Sequence, residues 1–181
     1  MTVPRANPAG ALTGAMISAA FAIAWAMWGA SGLPSTAGAL IRIAAVVVGI
    51  ALIARAAVLR RGRSRPDLEG SIFAAPAYRW IVAVEILALF GGGAILGATG
   101  KSAYTIAWFA FIVGVHFLWF GRAFWTGFYP IGLILIAGAM AGMITGLAGG
   151  SAAHIRGVTG LTAAADLFGA SAWTVLRSDR P

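Results

Sequence analysis

VAVEILALFGGGAIL, residues 82–96, carries one charge, Glu85, and never alternates polar with apolar positions. A membrane barrel strand would be about ten residues long and would alternate, so this stretch is not one. The apolar run around it extends over about 80–99. At 1.5 Å per residue such a run crosses roughly 30 Å of hydrocarbon as a helix. Backbone groups inside lipid must be satisfied within their own segment, which again selects the helix.

Five similar runs lie on either side, and together the six cover about 11–32, 37–59, 80–99, 104–121, 127–148 and 158–176. Glycine-, proline- or charge-bearing breaks separate them, among them SGLPSTAG, RRGRSRPDLEG, GATGKS and AGGSAAHIRG. The expectation is an all-α polytopic membrane protein, a six-transmembrane-helix bundle forming a single transmembrane domain over 1–181. The sixth run is the mildest, because TGLTAAADLFGASAW is built mainly of small residues.

Composition agrees with this reading. Of 181 residues, 60% are hydrophobic and 10% charged, against about 25% charged in ordinary soluble domains. Cysteine is absent, which excludes disulfides and thiolate metal sites. The net charge of +8 is explained by placement rather than by nucleic acid. With six spans, nine arginines (Arg5, Arg60, Arg61, Arg63, Arg65, Arg79, Arg122, Arg177 and Arg180) share one side, whereas Lys101 and Arg156 lie on the other. The positive-inside rule then puts both termini in the cytoplasm. The basic loop RRGRSRPDLEG fits an anionic lipid surface, at about 1 kcal/mol per arginine, and offers no folded surface for nucleic acid. Arg5 followed by an apolar run and WGASG resembles a signal peptide. An apolar core of about 20 residues exceeds the usual 7–15, so a retained span is expected. Short loops, abundant alanine and glycine, and arginine in place of lysine read as a bacterial inner membrane.

Glycine spacing predicts close helix contacts. Gly138, Gly142, Gly146 and Gly150 recur every fourth residue, which opens a groove for a neighbouring backbone. That neighbour is expected within the bundle, with a subunit interface or a pore lining as alternatives. Gly10, Gly14, Ser18, Ala22, Ala26 and Ala30 form a softer stripe, and Gly93 with Gly97 a shorter one. The fourth run is instead rich in Trp and Phe, suited to lipid contact and an interfacial belt, or to a hydrophobic substrate groove.

Ionisable groups inside a membrane are functional candidates by default. Five are expected there: Arg42, Arg55, Glu85, His116 and Asp166. Arg55, Glu85 and His116 fall in one layer, roughly 6–9 Å below the cytoplasmic surface. Glu85 is therefore expected to pair with Arg55 or with protonated His116, as a polar clamp between helices or as a proton-transfer pair. Asp166 falls near the midplane on a stripe with Thr159 and Thr162. Its expected partner is Arg42, or, if protonated, a nearby carbonyl. His154 and Arg156 on an outer loop are a weaker pointer to an anion.

No catalytic constellation is legible. The histidines stand alone, without metal spacing. GGGAILGATGKS ends like a phosphate loop but has Ile95 where the first glycine belongs and follows a membrane helix. No enzyme activity, cofactor or metal is expected. The stretch GVHFLWFGRAFWTGFYPIG, residues 114–132, about a tenth of the chain, resembles a segment of small uncharacterised bacterial multi-pass membrane proteins. That resemblance implies a membrane location and no activity. Two functions remain open: a small transporter or channel-like protein using the polar groups, and a non-transporting assembly or regulatory subunit packing through its glycines. Either would work among lipid as a homo-oligomer or with a membrane-protein partner.

Overall fold

The computed structural model describes residues 8–61 and 75–178. Arg5, Arg63, Arg65, Arg180 and most of the basic loop lie outside the described residues. Six helices follow one another: α1 (Pro8–Ala30), α2 (Ser35–Arg61), α3 (Pro76–Ala98), α4 (Thr105–Ala123), α5 (Phe128–Leu147) and α6 (Ala152–Ser178), with one 3-10 turn at Ser102–Tyr104 before α4. Among the described residues the chain is entirely helical.

Local chemistry sets the helix ends. Pro76 occupies the first turn of α3, where a missing N–H costs nothing, so α3 starts four residues before the apolar run does. Gly100 and Gly149 adopt positive φ of 71° and 86°. Just beyond them Lys101 N–H donates to Leu96 O (2.7 Å) and Gly150 N–H to Thr145 O (2.9 Å). These are the paired closures of a Schellman motif, and they stop α3 and α5 by the same device. Gly150 is thereby spent on a helix end and does not extend the packing stripe. Ser151 opens α6 through a reciprocal cap: His154 N–H donates to Ser151 Oγ and Ser151 N–H to His154 Nδ1, each at 3.3 Å. The cap starts α6 six residues earlier than its apolar run.

The helices pack as a chain of neighbours, α3 on α4, α4 on α5, α5 on α6, α6 on α1 and α1 on α2, with α6 also touching α4 and α2. Consecutive helices run antiparallel. One end of the bundle gathers Arg60, Arg61, Arg79, Arg122 and Arg177 (hereafter the basic end) and the other carries the tight turns (the turn end). α6 is the centre. Its contact with α1 is backbone on backbone: a Cβ added at Gly29 would lie 2.7 Å from Leu161 N, and one at Gly160 would lie 2.5 Å from Gly29 Cα. Ser171, fully buried, donates across the same interface to Ala15 O at 2.9 Å. The buried face of α1 runs through Ala15, Ala19, Ala22, Ala26 and Ala30. The expected stripe through Gly10, Gly14 and Ser18 is only partly covered, and Gly14 faces open space. Likewise Gly92 and Gly93, not Gly97, receive a neighbour.

The stripe on α5 meets α6 as a zipper. Cβ atoms at Gly138, Gly142 and Gly146 would run into Thr162, Thr159 and Ile155 respectively. The neighbour is inside the bundle.

α1 to α5 are long and apolar enough to cross a membrane, whereas α6 falls below that apolarity despite its 27 residues. Nine of its residues are buried, among them Thr159, Gly160, Ala163 and Ser171, and its many small and polar side chains lower its apolarity. The outer helices show the opposite pattern. Leu40, Ile43, Val47 and Ile50 on α2, and Trp80, Val84, Leu87 and Phe90 on α3, are exposed. α3 has no buried residue at all. Continuous apolar faces of this extent suit acyl chains rather than water, and the fold is compatible with a multi-pass membrane protein.

Candidate functional site

α3 is held to the bundle by α4 and the short turn before it, and that seam contains the main polar contact. Gly92 leaves room for the Trp108 indole, whose Nε1–H donates to Ala88 O at 2.9 Å. Tyr78 stacks on Phe120 near the basic end, with centroids 5.5 Å apart. Between these two anchors, Glu85 Oε2 lies 2.8 Å from His116 Nδ1, and the two side chains are only 15% and 11% exposed.

This contact has the length of a hydrogen bond but not the direction. Nδ1 has no aligned partner, so the contact is a close approach rather than a well-formed hydrogen bond. Phe120 packs on the other side of the imidazole at a centroid distance of 4.0 Å, tilted by 52°, and Phe117 lies at 5.4 Å, edge to face. The histidine therefore sits between a carboxylate and aromatic rings. A base and an acid in contact, almost enclosed, can exchange a proton without a large rearrangement. Glu85 is nine residues into α3, about 13 Å along the helix, because the helix starts at Pro76. The pair is deeper than the sequence implied.

Arg55 does not complete a triad. It lies exposed on α2, which packs on α1 and α6 and has no packing contact with α3. The layer read from the sequence does not bring Arg55 to the pair, because α2 and α3 lie on opposite flanks of the bundle.

Asp166 and Arg42 are also apart. Asp166 shares its face of α6 with Thr159 and Thr162, the side that meets α5. α2 meets α6 on the far side, where Leu161, Ala164 and Phe168 stand. Oδ2 of Asp166 and Oγ1 of Thr159 are both buried with no hydrogen-bond partner, while Thr162 Oγ1 donates to Val158 O at 2.8 Å. The α5–α6 seam thus holds two unpaired oxygens on one helical stripe, the kind of group that native structures rarely leave unmatched.

The turn-end residues have structural duties. His154 caps α6. Arg156 Nε donates to Ser31 Oγ at 3.1 Å, and Ser31 Oγ to Trp28 O at 2.6 Å, so the start of α6 is tied to the end of α1. Sequence reading missed this tie and the Gly29–Gly160 contact, although WGASG, read there as resembling the end of a signal peptide, held both Gly29 and Ser31. Among the described residues no three His, Asp or Glu side chains gather as a metal site.

Comparison with protein-family models, curated proteins and solved structures finds no match. The class rests on the fold itself, an all-helical chain with five helices long and apolar enough to span a membrane.

Proposed function

We propose that this chain is a small six-span transporter of the bacterial inner membrane, with both termini cytoplasmic, that moves protons or a proton-coupled solute through the Glu85–His116 pair. The observation that carries the reading is the carboxylate–imidazole approach of 2.8 Å in the α3–α4 seam. Intramembrane acid–base pairs are costly and are kept where protons or ions pass. α6 serves as the sixth span because α1, α4 and α5 shield its small and polar side chains. With six spans, the positive-inside rule supports a cytoplasmic location for the arginine-rich end. Asp166, with its unpaired oxygen, is the second proton-accepting group on this reading, reached along the α5–α6 seam. No catalysis, cofactor or nucleic acid enters.

The test is proton flux in proteoliposomes under an imposed pH gradient, followed with an entrapped pH-sensitive dye. Glu85→Gln and His116→Gln should each slow flux about a hundredfold, the lower range for a positioned proton-transfer group. Gly14→Ala, at an open position, should leave it unchanged. Equal flux in all four proteins ends the reading. A second reading, a non-transporting assembly subunit, is favoured by the uncovered apolar face of α3. It predicts no flux from the unaltered protein and stable co-purification of another membrane protein.

A further inference from the structure

Between the Glu85–His116 pair and the basic end, the seam is filled by rings. Phe120 stands four residues after His116, about 6 Å along α4, and three before the helix ends at Ala123. It is 6% exposed. Among the described residues five rings meet it: His116 at a centroid distance of 4.0 Å, Phe124 at 5.4 Å, Tyr78 at 5.5 Å, Phe128 at 5.7 Å and Phe117 at 6.4 Å. Tyr78 comes from α3 and Phe128 from α5, so the Phe120 ring stands where three helices face one another.

On the turn side of the pair the seam is closed in another way. Trp108 fills the recess over Gly92, and its indole N–H is latched to Ala88 O at 2.9 Å. The Phe120 side chain has no polar atom, and only dispersion and ring contacts hold it. Its ring can swing aside without breaking a hydrogen bond, whereas withdrawal of Trp108 breaks one. Apolar constrictions exclude water while shut and admit it once widened or made polar.

We propose that Phe120 is a hydrophobic gate that bars water at the basic end from the Glu85–His116 pair. With Trp108 latched, the basic end is the side from which the pair is loaded. The gate's part in transport rests on the proton path proposed above, but the seal itself does not. Access of water-borne reagents to the pair therefore tests the gate whether or not protons cross.

The chain has no cysteine, so Glu85→Cys in the full chain supplies a single thiol at the pair. Permeabilised membranes expose both faces to a cationic methanethiosulfonate, and the labelling rate of that thiol is measured. Added to this background, Phe120→Ala should speed labelling at least about tenfold, because a dry apolar constriction keeps out a charged reagent. Phe120→Thr, which brings a hydroxyl and keeps more bulk, should do the same and serves if the alanine variant does not fold. Phe120→Leu, large and apolar, should stay as slow as the parent. Trp173→Ala removes an exposed ring near the same end of α6 and should change nothing. Unchanged labelling in a folded Phe120→Ala or Phe120→Thr protein overturns the gate, and so does equal acceleration by Trp173→Ala. With Glu85 restored, Phe120→Ala should raise proton flux above that of the unaltered protein. Flux as low as that of Glu85→Gln would make Phe120 a support for the imidazole and not a gate. Labelling governed by Phe120 in a protein that passes no protons would support the seal and end the transport reading alone.

Discussion

Thr159 and Asp166 each hold a buried oxygen with no partner, at a seam where glycines bring two helices close. The hydroxyl of Thr159 contributes nothing to packing that a methyl would not. Thr159→Val should therefore be neutral or stabilising by up to about 1 kcal/mol, measured by thermal unfolding in detergent. Trp108 is the converse case. Its indole N–H is matched to Ala88 O, so Trp108→Phe should cost about 1 kcal/mol and loosen α3 first, seen as faster proteolysis at its ends. Depth along each helix was legible in the sequence, which is why Glu85 and His116 were found together. Direction around the bundle was not. Arg55 and Asp166 lie near the expected depths but on other seams, because residue spacing fixes height and leaves the order of neighbouring helices open.

The glycine rhythm of α5 announced a close neighbour, and α6 fills that place through Thr162, Thr159 and Ile155. In α1 the Ala22, Ala26 and Ala30 part of the stripe is buried, whereas Gly14 faces open space and Ala15 and Ala19, one position along from Gly14 and Ser18, take the burial there. Small residues permit contact without fixing which face takes it. The Gly29–Gly160 meeting was hidden for another reason, since each glycine lies in an unremarkable local pattern and the pairing is long-range. Gly160→Leu should push α6 from α1 at a cost of about 3 kcal/mol. Gly14→Leu, facing open space, should change stability by less than about 0.5 kcal/mol. Paired unfolding curves in the same detergent compare them directly.

Taken together, the helices form an arc with α2 and α3 at its two ends and α6 inside it. The chain has no cysteine, so introduced pairs report without background. Ala15→Cys with Ser171→Cys should cross-link readily across the α1–α6 contact, whereas Arg55→Cys with Glu85→Cys should not. With the basic end cytoplasmic, as proposed, Ser31→Cys should react with a membrane-impermeant reagent in intact cells and Arg61→Cys only after permeabilisation. Hydropathy alone recovers α1 to α5 and leaves out α6, whose small and polar side chains serve contacts with other helices. The enclosed position of α6 also bears on biogenesis. A nascent segment with Asp166 and so many small residues partitions poorly into a bilayer by itself, yet it leaves the ribosome after the four helices that pack on it, α1, α2, α4 and α5. If α6 spans the bilayer as proposed, its integration relies on the earlier helices, with α1 and α5 forming its cradle. Expressed behind an unrelated anchor, α6 alone should fail to integrate.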